Sequence, residues 1–120
     1  MTPTYQEFLV EREEVGDCVR ACTASILDLP LEEVPHFVKD TPGPDWYPQW
    51  EKFMREHGRE VFMFNVPWEK PPVFTNYYLA SGITERGTKH MVVMRQGEVA
   101  HDPHPDGNGL TEIQCVWMVK

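Results

Sequence analysis

Basic side chains are scarce in this chain: 11 Lys and Arg stand against 19 Asp and Glu, a formal charge of −8 over 120 residues. That balance argues against a phosphate backbone or an anionic membrane surface as partner, and favours a neutral or basic one. Long apolar runs are missing as well, and no stretch approaches the roughly 20 residues needed to cross a bilayer. The opening Met1-Thr2-Pro3-Thr4-Tyr5-Gln6-Glu7 lacks the basic, then apolar, character of a signal peptide. Cysteine is limited to three, an odd number that predicts reduced thiols rather than a disulfide framework. These absences together predict a cytoplasmic protein with no membrane or nucleic-acid role. There is no internal repeat and no low-complexity tail. At 41% hydrophobic and 12% aromatic content, the chain can bury one core, so residues 1–120 are expected to form a single domain.

Local patterns predict helices first and strands last. From Asp17 the residues Ala21, Cys22, Ala24, Ser25, Ile26 and Leu27 are small or apolar nearly all round, which predicts a core helix stopped by Leu29-Pro30, with Asp17 as its cap. Leu31 to Val34 can add a short turn, and Thr41 to Asp45 reads as a loop. Trp46, Trp50, Phe53, Met54 and His57 recur at helical spacing, with Gly58 as a C-terminal cap. Strands are expected at residues 60–64, 76–81, 89–94, 98–102 and 111–119, with Pro67 to Pro72 as a break. Such segregation predicts an α+β architecture with N-terminal helices packed on a C-terminal antiparallel sheet.

Cys18 lies at the expected start of the first helix, where the helix N-terminus favours a thiolate. His90 and Asp102 lie far downstream on what reads as one β-hairpin around Gly97. If Arg95-Gln96-Gly97 is a three-residue loop with Gly97 left-handed, Met94 faces Glu98, Val92 faces Ala100 and His90 faces Asp102. Opposed residues share a face with Cβ atoms roughly 5 Å apart, so His90 and Asp102 become hydrogen-bonding neighbours. A cysteine nucleophile with a distant His/Asp pair is the layout of nucleophilic acyl chemistry. A register slip of one residue separates the pair.

Asp17-Cys18-Val19-Arg20-Ala21-Cys22 resembles the Asp-Cys-x-x-Ala-Cys signature of the bacteriocin-processing peptidase domains of export transporters, a branch of the papain-like cysteine peptidases. Lys89-His90-Met91-Val92-Val93 and Asp102-Pro103 are similar to that family's later His-then-aliphatic and Asp-Pro motifs. The resemblance implies a papain-like fold, with Cys18 as nucleophile, His90 as general base and Asp102 orienting the imidazole. The family's oxyanion glutamine usually stands about six residues before the nucleophile. Arg12 occupies that place here, and Gln6 is the only glutamine upstream, able to serve if the lead-in loops back. The backbone N–H of Cys18 is a second oxyanion donor.

Other readings compete for the same residues. Cys18, Cys22, His101 and His104 form a possible zinc set, but two cysteines four apart on a helix seldom both reach one ion, and His90 is left unexplained. No metal or cofactor is therefore expected. Cys22 and Cys115 read as structural, and Thr23 and Ser25 carry no assigned chemistry. Asp17, Trp68, His101 and His104 are candidates for the cleft, with packing as the alternative for Trp68 and a structural loop as the alternative for the two histidines. The expected function is a cysteine hydrolase acting on a peptide, isopeptide or related amide. The rival is a papain-like scaffold, inactive or weakly active, that binds a peptide or small ligand or acts as an inhibitory protein.

Overall fold

The computed structural model describes residues 1–64 and 71–120. Trp68 and the expected Pro67 to Pro72 break therefore lie wholly or largely outside the described residues. Among the described residues three α-helices, α1 (Cys18–Leu27), α2 (Phe37–Asp40) and α3 (Trp46–Glu56), precede β1 (Val61–Phe64), β2 (Tyr78–Ile83), β3 (Lys89–Arg95), β4 (Glu98–His101) and β5 (Glu112–Val119). The strands form one sheet in the order β1-β5-β2-β3-β4, with every pairing antiparallel. The architecture is α+β, as the segregated patterns predict. No helix among the described residues is long and apolar enough to cross a membrane.

Helix α1 is the most buried of the three, with Val19 and every residue from Ala21 to Ile26 inside. Its small residues allow the helix axis close to the sheet, and the Cys22 Sγ donates to the Met91 carbonyl at 3.3 Å. It ends at Leu27 because Asp28 turns left-handed (φ 57°) and its N–H closes onto the Ala24 and Ser25 carbonyls. Thr23 and Ser25 return their hydroxyls to the carbonyls four residues back. Thr23 also accepts the Trp50 indole N–H at 2.9 Å, so α1 and α3 meet without an orphaned polar group between them.

Helix α3 follows its expected span, with Pro48 in the first turn, where its missing N–H would have no intrahelical partner. Gly58 adopts φ 74° just beyond its end. The short α2 is an element the sequence patterns do not announce. It is held by burial of Phe37, whose ring meets Phe53 edge-on at 5.4 Å, and by the His36 imidazole accepting the Lys39 N–H.

Strand alternation divides the core. Leu79, Met91, Val93, Trp117 and Val119 join the helices in one cluster, while Tyr78, Ala80, Val92, Met94 and Val116 pack with Phe74, Leu110 and Ile113 in the other. The sheet is therefore apolar on both faces.

The β3–β4 turn corrects one expectation. Arg95 pairs with Glu98, so the loop is the two residues Gln96 and Gly97, both left-handed (φ 53° and 80°), the geometry that matches strand twist. Met94 accordingly pairs with Val99 rather than Glu98. The register then slips: Val93 pairs with His101, which leaves Ala100 as a bulge residue. The two-residue turn alone would put His90 and Asp102 on opposite faces, and the one-residue bulge reverses that parity.

A second irregularity lies beside it. Gly82 pairs with His90 on one side and with Ile113 on the other, where the β2–β5 register shifts. A Cβ on Gly82 would sit 1.7 Å from the Glu112 carbonyl oxygen. Gly82→Ala is therefore expected to destabilise the fold by about 2 kcal/mol or more, because a backbone atom must move. Urea unfolding checks this, and an unchanged midpoint would contradict the close approach.

Candidate active site

The packing of α1 determines where Cys18 lies. Cys22 is bonded to the backbone of Met91, next to His90, and Cys18 is one helical turn nearer the N-terminus. The half-buried Cys18 and the buried His90 thus line one cleft of about 60 Å³, together with Gln6, Gly16, Thr88 and His104. The charged Glu11, Arg86 and Lys89 line it as well. A larger hollow of about 330 Å³ lies between residues 74–78 and 118–120, and none of the candidate residues lines it.

His90 Nε2 donates to Asp102 Oδ1 at 2.6 Å in a buried pair. The Asp102 carboxylate is further held by the backbone N–H groups of His104 (2.9 Å, to Oδ1) and Gly109 (2.8 Å, to Oδ2). With Nε2 committed to Asp102, Nδ1 is the ring nitrogen left for Cys18. The contact predicted from the hairpin is present, although the bulge, not direct opposition, brings it about.

Burial alone would push the Asp102 carboxyl up. The His90 hydrogen bond and the two backbone donors outweigh it and hold the group below the usual carboxylate range. Burial likewise opposes the charged form of His90, but the hydrogen bond to Asp102 and the interaction with Cys18 raise its pKa from 6.5 to about 9. His90 therefore carries two protons at neutral pH. Cys22 has no such support: burial, then the charge of nearby Cys18, pushes its thiol well up, so it is a core residue and not a second nucleophile.

Gln6 reaches the cleft because the lead-in does loop back. The Asp17 N–H approaches the Phe8 carbonyl at 3.4 Å, closing residues 9–16 into a loop that includes a 3-10 turn at Val10–Arg12. The long spacing between Gln6 and Cys18 is absorbed in that loop. The Gln6 amide nitrogen donates to Phe8 O at 3.0 Å, leaving its second hydrogen, and its buried Oε1 has no partner among the described residues.

Two cleft candidates are elsewhere. Asp17 neither caps α1 with its side chain nor lines the cleft: its buried carboxylate accepts the N–H groups of Glu7 (3.3 Å) and Phe8 (3.0 Å) and pairs with Arg20. The lead-in backbone supplies its two N–H donors in place of the helix start. His101 opposes Val93 on the helix side of the sheet, with Nε2 on the Thr4 carbonyl at 2.7 Å and its ring against Tyr5. It is structural. His104 does line the cleft, edge-on to His90 at 6.2 Å. Its Nδ1 accepts the Asp106 N–H, so Nε2 is the protonated nitrogen that donates to Glu11 at 2.7 Å. Arg86 bridges Glu11 and Asp106, a charged rim that loop residues scattered through the sequence did not announce.

No three His, Cys, Asp or Glu side chains among the described residues are grouped to hold a metal ion. Compared with protein-family models, with curated proteins and with solved structures, the chain matches none.

The His90 pair has a consequence for stability. A pKa raised from 6.5 to about 9 means that the folded protein binds a proton the unfolded chain has lost across that range. Its stabilisation is complete below pH 6.5 and disappears as pH rises through about 9, a loss on the order of 3 kcal/mol. Urea unfolding as a function of pH should show this fall, and His90→Ala should flatten it between those limits.

Proposed function

We propose that the protein is a small papain-like cysteine hydrolase acting on a peptide, isopeptide or related amide. The observation that carries this reading is the buried His90–Asp102 pair, at 2.6 Å, beside a cysteine at the start of the most buried helix. A group arranged only for packing would not need a carboxylate with three donors behind an imidazole with one nitrogen to spare.

In this reading Cys18, at the N-terminus of α1 and in one cleft with His90, attacks the carbonyl carbon as thiolate. The developing oxyanion is received by the Cys18 N–H and the free amide hydrogen of Gln6. His90 then gives its proton to the leaving amine, the C–N bond breaks, and a thioester forms on Cys18. Water attacks that thioester while His90 takes its proton, releasing the acid and the thiolate. Asp102 keeps the ring oriented throughout and balances its charge. The raised pKa of His90 makes proton donation to the amine, rather than proton removal from the thiol, its first task in the cycle.

A second reading remains tied to a specific observation. The cleft is small, and the Glu11 contacts with His104 and Arg86 run along its edge, as would suit a scaffold that holds a ligand without turning it over.

Intact-mass spectrometry after brief exposure to iodoacetamide at mildly acidic pH decides whether Cys18 is activated. A single rapid label at Cys18 is expected, with Cys22 unreactive in its buried place. Cys18→Ala should abolish turnover and leave folding intact, and His90→Ala should abolish turnover as well. Asp102→Asn should reduce turnover by orders of magnitude, as loss of the imidazole orientation does in related triads, and cost about 1–3 kcal/mol of stability because an amide N–H would face a backbone donor. Full activity in Cys18→Ala would transfer the function to the ligand-holding scaffold.

A further inference from the structure

We infer that Asp17 is the positioning residue for the oxyanion donor: its buried carboxylate clasps the arm that carries Gln6 to the residue preceding the nucleophile. The inference rests on the hydrolase reading and adds to it a residue whose side chain does not touch the cleft.

The arm is anchored at three points. Thr4 donates its N–H to Ser25 Oγ at 2.9 Å and accepts His101 Nε2. Gln6 donates its own N–H to the Pro103 carbonyl at 3.0 Å, next to Asp102. Glu7 and Phe8 then donate to the two oxygens of Asp17. The segment therefore runs from the loop that holds the His90 partner to the start of α1. Without the last anchor, Gln6 would keep its link to the Asp102 side, and only the long Asp17 N–H contact to the Phe8 carbonyl (3.4 Å) and the Arg20–Glu7 ion pair (3.7 Å) would tie the segment to the start of α1.

Asp17 is built for this and for little else. It is 1% exposed, and its nearest cation is the Arg20 guanidinium at 3.5 Å, itself held by the Val34 carbonyl through Nε at 2.8 Å. A buried carboxylate that does not cap its helix must find its donors elsewhere. It finds them in the two peptide units directly after Gln6. The remaining anchor is the Gln6 side chain itself, bonded to Phe8 O, so displacement of Phe8 displaces the amide too. The approach is close: a Cβ on Gly16 would lie 2.9 Å from Val10 Cγ2 and 3.7 Å from Gln6 Nε2.

The test separates reactions that need an oxyanion donor from one that does not. Acylation of Cys18 by p-nitrophenyl acetate expels p-nitrophenolate through a tetrahedral oxyanion, whereas alkylation by iodoacetamide displaces iodide at carbon and forms none. Asp17→Asn is expected to slow acylation roughly 10- to 100-fold, with alkylation changed by less than about twofold. Gln6→Ala should give the same split, and the double variant should lose no more than either single one. Glu7→Pro, which deletes one donor and leaves Asp17 bonded to Phe8 and Arg20, should show a smaller split of the same kind and guards against an Asp17→Asn protein that fails to fold. Equal losses in both reactions, independent effects of Asp17 and Gln6, or no loss would each overturn the positioning role. If the unaltered protein shows neither reaction at Cys18, the hydrolase reading fails and the positioning role falls with it.

Discussion

The close approach of α1 to β3 is the constraint from which the rest of the site follows. Cysteine at 22, fully buried on the side of α1 that meets β3, leaves so little side chain between helix and sheet that its thiol bonds the β3 backbone directly. A larger residue at 22 would push the helix away from the strand, and a shift of even an ångström exceeds the tolerance of a catalytic hydrogen bond. Because the anchor is at Met91, the residue one turn earlier in the helix and the residue one step earlier in the strand meet. Those residues are Cys18 and His90. Trp50 and Thr23 hold α1 from behind, so the position is enforced on both sides.

Electrostatics then works on a pair that packing has already placed. Burying His90 and Asp102 would by itself neutralise both, and the structure reverses this with one short hydrogen bond between them and two backbone donors on the carboxylate. The donors come from a turn of small and polar residues, with Gly109 left-handed at φ 67°, that brings its own N–H and that of His104 onto Asp102. The loop after β4 is therefore part of the charge balance of the site and not a mere connection. The same economy operates at Asp17, where two peptide N–H groups and Arg20 compensate a second buried carboxylate.

Much of this was legible in the residues. The core helix showed as a run of small and apolar side chains, α3 as an aromatic stripe, and the sheet as alternating strands after Gly58. The His90–Asp102 contact was also anticipated, but by a different route. A three-residue loop in register and a two-residue loop with a bulge give the same face, since parity depends only on whether the total offset is even. Turn chemistry around Gln96-Gly97 permits either, and nothing in Ala100 marks it as a bulge. Asp17 misled for a related reason. An aspartate before a helix is ordinarily a cap, yet here an N-terminal arm supplies its two backbone donors, and no local pattern shows where an arm will lie.

By itself the sequence determined helices α1 and α3, the strands and the residue types capable of nucleophilic chemistry, because propensity, hydrophobic period and side-chain chemistry act over a few neighbours. The tertiary structure alone decided that Gln6 lies beside Cys18 despite its long spacing, that His104 faces the cleft while His101 turns to Thr4, and that Glu11, Arg86 and Lys89 make the rim. Those outcomes depend on contacts between segments far apart in the chain. Each is settled by which of several hydrogen-bond partners is nearest once the core has closed, a choice made by geometry that no local pattern encodes.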